Sequence, residues 1–321
     1  MKKILALFIS LMLLTGVLCA CAASGTKPAD DNKLSIVCTI FPEYDWTKEI
    51  LGDDPANATL TLLLDNGVDL HSYQPSAGDM IKISTCDLFI YVGGESDIWV
   101  EDALKEAANK DMAVIDLLEV LGEQAKEEEL KEGMEGESEA EEAEYDEHVW
   151  LSLKNAKLFC SVIAEKLCEI DPANAQAYTA NAKAYTDKLA ALDAQYQSAV
   201  DEAALDTLIF ADRFPFRYLV DDYGINYYAA FAGCSAETEA SFETIAFLAG
   251  KADELGVGSV LTLEGAQHDI ANTVVENTKA KTQSVLALDS MQSTTPEDAN
   301  GGVSYLSIMQ KNLDTLKNAL N

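Results

Sequence analysis

Short apolar, β-branched runs alternate with amphipathic stretches along most of this chain, and the alternation occurs twice. Leu34 to Ile40, Thr59 to Leu64, Asp87 to Val92 and Met112 to Ile115 read as strands, bounded by turns such as Asp65-Asn66-Gly67 and Gly93-Gly94. Phe41-Pro42 breaks the first of them. Between the strands, Tyr44 to Leu51 reads as a helix closed by Gly52, another begins near Pro75-Ser76, and Asp97 reads as the N-cap of a helix to Lys110. Asn155 to Cys168 is an amphipathic helix stopped near Asp171-Pro172. The second series has strands at Thr207 to Ala211, Ile225 to Phe231, Gly258 to Leu263 and Ser284 to Leu288. Its helices are Phe214 to Tyr223, Ser241 to Leu255, Ala266 to Lys281 and Val303 to Leu320.

Strands alternating with helices predict an α/β protein of two lobes, each a parallel sheet flanked by helices. Residues 173–204 contain no Gly or Pro after Ala173, and at 1.5 Å per residue they predict one long bridging helix of about 45 Å. The expected organisation is an N-terminal lobe over 34–172, the bridging helix over 173–204 and a C-terminal lobe over 205–321. A cleft between the lobes is then the default ligand site.

The first residues change the picture of the compartment. Lys2 and Lys3, the apolar run Ile4 to Leu14 and Leu18-Cys19-Ala20-Cys21 predict a secretory leader over 1–20, too short in its apolar part to be a comfortable permanent span. The ending resembles a bacterial lipoprotein signal with Cys21 as the acylated residue, followed by a flexible tether over 21–33. This predicts an extracytoplasmic protein, lipid-anchored to the outer face of the cytoplasmic membrane. The chain carries 55 acidic against 22 basic residues, a net charge of −33, so binding to nucleic acid or anionic lipid by basic patches is excluded. Five cysteines follow Cys21, at 38, 86, 160, 168 and 234. Their odd number, and the absence of any C-x-x-C pair, predict buried small hydrophobes and argue against a zinc-thiolate centre.

The acid is concentrated. Between Glu123 and Glu147 there are 13 acidic residues against Lys126 and Lys131, and this loop, 122–147, reads as a mobile, solvated tract with at most an electrostatic role. It ends at Asp146-Glu147-His148-Val149-Trp150-Leu151. The chain has three histidines. His71 and His148 both lie at connections between elements, beside Asp69 and beside Asp146 and Glu147, where a carboxylate can fix the tautomer of a metal-binding imidazole. His268 reads as a solvent-exposed residue in the first turn of a helix.

These residues carry a resemblance. Phe41-Pro42-Glu43-Tyr44-Asp45-Trp46, Asp69-Leu70-His71-Ser72-Tyr73-Gln74-Pro75, Cys86 to Gly94, Asp146 to Leu151 and Gly301 to Leu320 are similar to the motifs of cluster A-I substrate-binding lipoproteins of bacterial zinc or manganese ABC importers. The resemblance covers nearly all of the chain after the leader. It implies two α/β lobes bridged by a rigid helix, one divalent metal held between them, and an ABC permease in the membrane as partner. It maps metal ligands onto His71, His148 and Asp289. The family's third ligand, usually His or Glu, falls on Arg213 in Arg213-Phe214-Pro215-Phe216-Arg217-Tyr218. A guanidinium has no acceptor and stays protonated. Either Asp212, Glu237 or Glu239 substitutes, or water fills the position, or metal binding is lost; Arg213 could also pair with Asp289.

The expected function is capture of Zn²⁺, with Mn²⁺ as second choice, by a monomeric receptor that hands it to the permease. The alternatives are an adhesion or interaction lipoprotein on the same scaffold, and a receptor for a metal chelate with Arg213 on its anionic group. Hydrolase chemistry is not expected, for there is neither H-E-x-x-H nor G-x-S-x-G.

Overall fold

The computed structural model describes residues 33–52, 58–135, 144–235, 239–265 and 268–321. The expected leader, Cys21, the tether up to residue 32 and Glu237 lie outside the described residues. Each half of the chain builds a four-stranded parallel sheet. Strands β1 (Leu34–Cys38), β2 (Ala58–Leu62), β3 (Leu88–Tyr91) and β4 (Ala113–Asp116) lie in the order β2-β1-β3-β4. Strands β5 (Thr207–Phe214), β6 (Asn226–Ala232), β7 (Ser259–Leu263) and β8 (Ser284–Leu288) lie in the order β6-β5-β7-β8. In the first sheet Ile36 pairs with Leu60 on one side and Leu88 on the other, so β1 is central. The two sheets therefore share one topology, with the strand order reversing at β1/β3 and at β5/β7. Crevices for ligands open at the carboxyl ends of strands around such points.

Local chemistry moves several boundaries. Phe41-Pro42 opens the helix Phe41–Leu51 rather than ending a strand in a loop, because proline is tolerated in a first helical turn. The carboxylate of Glu43 then accepts from the N–H groups of Thr39 at 2.8 Å and Ile40 at 3.3 Å, which joins β1 to the helix. Asp97 does not cap a long helix. Its carboxylate accepts from Val92 N–H and Gly93 N–H, both at 3.0 Å, and closes the turn after β3, while the helix that follows spans only Val100–Lys105. Strand β5 continues past Ala211 to Phe214, with an irregularity between Phe210 and Arg213.

The bridging helix spans Ala175–Asp201, about 40 Å at 1.5 Å per residue. Its buried residues Tyr178, Ala182, Tyr185, Leu189, Leu192 and Tyr196 recur every three or four positions and form one stripe. That stripe packs on the helices Phe41–Leu51, Leu153–Ile170 and Tyr305–Ala319. Polar ends of buried aromatics tie the halves together. Tyr196 Oη donates to Met309 O at 2.6 Å, Tyr305 Oη to Trp150 O at 2.7 Å, and Trp150 Nε1 to Ser290 O at 2.9 Å. One apolar core runs from Ile36 and Phe89 through Trp150 and Tyr305 to Phe210 and Leu261. Opening the halves as rigid bodies would expose these rings, which costs more than moving the connections at the strand ends. No helix among the described residues is long and apolar enough to cross a membrane.

The cap at Glu43 has a cost that depends on pH. The residue is wholly buried, and burial first, then repulsion from Asp97, pushes its carboxyl up to about 8. A carboxyl raised on folding contributes stability that is complete below its unfolded value near 4.5 and is lost as pH rises through about 8. Glu43→Gln keeps an acceptor without a charge to bury. Thermal melts of the metal-free protein between about pH 5 and about pH 9 should show the wild type losing several degrees relative to this variant as pH rises. Parallel melting curves would show that the carboxyl is not raised.

Candidate metal centre

The first candidate, His71, lies in the connection after β2. Asp69 begins a single 3₁₀ turn, Leu70–Ser72, by accepting from His71 N–H at 3.0 Å, and this fixes the backbone that carries the imidazole. His71 Nδ1 faces Ser96 Oγ at 2.8 Å and Glu147 Oε2 at 3.3 Å. Ser96 is held in turn, since its N–H donates to Glu147 Oε1 at 2.8 Å. Gly94, with φ of +82°, lets this turn lie against Glu147, where an added Cβ would collide with Oε1.

His148 is completely buried. Asp146 Oδ1 accepts both its backbone N–H and its Nδ1–H, each at 2.9 Å. A carboxylate on Nδ1 sets the tautomer that leaves the Nε2 lone pair facing outward. On a neutral His71, an Nδ1–H donated to Ser96 Oγ, with Glu147 Oε2 3.3 Å away, gives the same tautomer. The two Nε2 atoms then meet at 3.1 Å. Two lone pairs at that distance repel unless a proton or a cation lies between them. Burial alone would depress the His71 pKa, but Glu147 and Asp69 outweigh it and raise it, so a proton readily takes that place. Zn²⁺ at 2.0–2.1 Å from both nitrogens would subtend about 98° at this separation, close to the tetrahedral angle.

The structure adds a residue that sequence reasoning set aside. Cys234 Sγ converges with His71 and His148, the three ligand atoms lying within 4.8 Å of one another. Cys38, Cys86 and Cys160 are buried, as expected of small hydrophobes, but Cys234 stands in the turn after β6. The signal for it was its setting, a Gly233-Cys234-Ser235 turn at a strand end rather than an apolar run. Burial first, then the carboxylates of Asp146, Glu128 and Glu147, raise its thiol pKa, so without a cation it stays protonated.

The other candidates are placed differently. Asp212 accepts from Thr262 Oγ1 at 2.7 Å and Leu263 N–H at 3.2 Å, which commits it to joining β5 and β7. Glu239 is exposed. Asp289 follows β8, where Oδ1 accepts from Met291 N–H at 2.8 Å; it is not in the converging group. Burial, and then Glu264, raise its carboxyl to about 6. Nor does His268 join the group; it is partly buried at a helix N-cap position, not solvent-exposed.

Arg213 does not pair with Asp289. The extended β5 carries it into the cleft, where Nη2 donates to Asp69 Oδ2 at 2.8 Å. It thereby crosses between the halves and braces the connection that carries His71. Arg213→Ala should cost the metal-free protein about 1–2 kcal/mol, with Arg213→Lys restoring part of it, because the pair is charge-assisted but still partly solvated. Thermal melts decide this, and an unchanged midpoint in Arg213→Ala would show that the brace has no energetic weight.

The acidic tract is not simply solvated. Glu127 pairs with Tyr145 in an antiparallel bridge, and Glu135 pairs with Phe231 along the outer edge of β6. Arg217 Nη1 donates to Glu129 at 2.6 Å, Lys126 N–H to Tyr218 Oη at 2.9 Å, and Cys234 N–H to Glu128 Oε1 at 2.9 Å. Over 123–135 the tract is a strap docked on the second half. Residues 136–143 lie outside the described ones.

The chain is similar to several zinc proteins. The zinc-binding lipoprotein AdcA of Streptococcus pneumoniae is 33% identical over 321 residues, covering 99% of this chain and 61% of its own length. The chain thus spans about three-fifths of that relative. The high-affinity zinc uptake system protein ZnuA of Bacillus subtilis is 32% identical over 311 residues, with 94% of this chain and 93% of that one covered. Among solved structures, the Zn(II)-bound ZnuA-like domain of Streptococcus pneumoniae AdcA superposes with a TM-score of 0.71 at 30% identity, over 90% of this chain and 99% of that one. The family model described as zinc-uptake complex component A, periplasmic, matches residues 36–319, and with the paired imidazoles at the mouth of two such sheets the chain belongs to that family.

Proposed function

We propose that this protein is an extracytoplasmic zinc receptor, lipid-anchored through Cys21, that captures Zn²⁺ between its two sheets and passes it to an ABC permease. The observation that carries the reading is the pair of imidazole Nε2 atoms at 3.1 Å, one ring held at Nδ1 by Asp146 and the other by Ser96 with Glu147 beside it. Nitrogen ligands held in this tautomer suit Zn²⁺ better than Mn²⁺. The fourth coordination position is open to water or to the Asp289 carboxylate, which would have to move toward the histidines. The net charge of −33 concentrates cations near the cleft without selecting among them. The chelate-receptor reading needs Arg213 free to meet an anionic group, and Asp69 engages it. The adhesion reading rests on the loss of a metal ligand at Arg213, and the paired imidazoles weigh against that. The role is that of a binding protein, in keeping with the family whose description matches residues 36–319.

Metal analysis of the purified protein after exposure to a mixture of Zn²⁺ and Mn²⁺ tests this directly. One zinc per chain is expected, with none in a His71→Ala/His148→Ala double variant. A wild type that holds no stoichiometric metal would end the receptor reading.

A further inference from the structure

We infer that Cys234 binds the cargo as a thiolate, so that the site is His71 Nε2, His148 Nε2 and Cys234 Sγ, and the cargo is a thiophilic ion. This rests on the receptor reading above and specifies its chemistry. It places the third ligand on a residue other than Arg213, Asp212, Glu237 or Glu239.

Three observations converge. The ligand atoms of the three residues lie within 4.8 Å of one another. Around tetrahedral Zn²⁺, with Zn–N near 2.0–2.1 Å and Zn–S near 2.3 Å, sulfur and nitrogen stand about 3.6 Å apart, so a shift of roughly 1 Å completes the geometry. Second, the turn is built to bring this residue in. Gly233 passes over the edge of His148, where an added Cβ would meet Cε1 and the Phe214 carbonyl oxygen at 3.0 Å and Nδ1 at 3.1 Å, so a larger residue would push the ring or the turn aside by a few tenths of an ångström. The Glu128 carboxylate then anchors the turn by accepting from Cys234 N–H at 2.9 Å. Third, Arg213, which stands where a ligand is expected, is turned to Asp69 and has no lone pair to offer.

The chemistry balances simply. On binding, the Sγ–H bond breaks, its proton passes to solvent, and an Sγ–metal bond forms with no change of oxidation state. Two neutral imidazoles and one thiolate leave the Zn²⁺ site at +1, facing the carboxylates of Asp146 and Glu147 around it. A thiolate in the set favours Zn²⁺ and other soft ions over Mn²⁺, Mg²⁺ and Ca²⁺. The four other described cysteines lie outside the group, so a sulfur signature at this site reports Cys234 alone.

Cobalt(II), substituted for zinc in the full chain under reducing conditions, reads the sulfur directly. The wild type should show a near-ultraviolet thiolate-to-cobalt charge-transfer band and the intense visible bands of four-coordinate Co²⁺, all erased by Zn²⁺. Cys234→Ser and Cys234→Ala should lose the charge-transfer band and bind Zn²⁺ at least about 100-fold more weakly, while metal-free melting stays near that of the wild type. A wild type that binds one Co²⁺ with no charge-transfer band overturns the inference without any variant. So does a Cys234→Ser protein with unchanged zinc affinity. In both cases metal is still bound, and the receptor reading stands. If the wild type takes up neither metal, both fall together.

Discussion

His148→Ala is expected to raise the zinc Kd about 1,000-fold or more, roughly 4 kcal/mol, and to lower metal-free stability as well. Two separate losses are combined in this substitution. The first is a nitrogen ligand whose lone pair is already aimed at the site, and no neighbouring nitrogen can replace it. The second is structural. The ring is fully buried against Trp150, with centroids 5.2 Å apart, and its Nδ1–H compensates the buried Asp146 carboxylate. Removing it leaves a cavity and a charge with only backbone donors, a cost of about 2–4 kcal/mol. His148→Gln separates the two, since an amide can still donate to Asp146 but is a poor zinc ligand. Stability should recover in that variant while affinity does not. Competition titration against a chelator, beside calorimetric melts, reads both quantities. A Kd for His148→Ala within tenfold of the wild type would contradict the site. His71→Ala should match the affinity loss with a smaller loss of stability, because that side chain is 14% exposed and leaves Ser96 and Glu147 bonded to each other.

The difference between these two histidines was not legible in the sequence, although their importance was. Each stood beside carboxylates at a connection between elements. For His148 the near carboxylate, Asp146, does meet Nδ1. Asp69, by contrast, holds only the backbone N–H of His71, and the groups at its Nδ1, Ser96 and Glu147, lie far along the chain. The parallel sheets were legible, as were β8 at Ser284–Leu288 and the stripe of the bridging helix, because period and turn residues are local. What failed depended on tertiary partners. Asp97 had the composition of an N-cap, but the N–H groups of Val92 and Gly93 compete for its carboxylate, so the helix starts later and is shorter. Strand β5 outran its prediction because Arg213 and Phe214 pair with β6 residues that lie some twenty positions further on. Cys234 was classed with the buried cysteines because nothing within a few residues of it is a ligand. Both imidazoles reach it from the other half of the chain. The same limit applies to Arg213, whose partner is Asp69 and not the carboxylate that motif order suggested.

The acidic strap shows the largest gap between composition and structure, and cutting it out should weaken zinc binding by about 10- to 100-fold, or 1.4–2.7 kcal/mol. Read as charge alone, the tract would steer cations and leave equilibrium affinity untouched. In the structure its carboxylates act one by one on the second sheet. Glu128 holds the N–H of Cys234, Glu129 holds Arg217, and Glu135 donates its N–H to Ala230 O at 2.8 Å while its carboxylate accepts from Ser241 N–H at 2.7 Å. These bonds cover the open edge of β6, the strand that leads into the Gly233-Cys234 turn, and an uncovered edge is free to fray. Because Glu127 and Tyr145 already pair across a bridge, a turn of about four Gly and Ser residues can replace 128–144 without straining the ends. The replacement removes the anchor of the turn while leaving His71 and His148 in place, so the loss should appear as weaker affinity with retained stoichiometry. Neutralising exposed charge in the same region by Glu123→Gln and Glu132→Gln provides the contrast. That variant should change only the salt dependence of zinc capture, since neither side chain holds the turn. If the strap-deleted protein keeps its Kd within twofold at every ionic strength, the strap has no part in the site and the tract returns to being surface charge. If affinity falls in the deletion but not in the neutralised variant, hydrogen bonds to the second sheet, and not the field of the acidic residues, hold the Cys234 turn where the two histidines can share its metal.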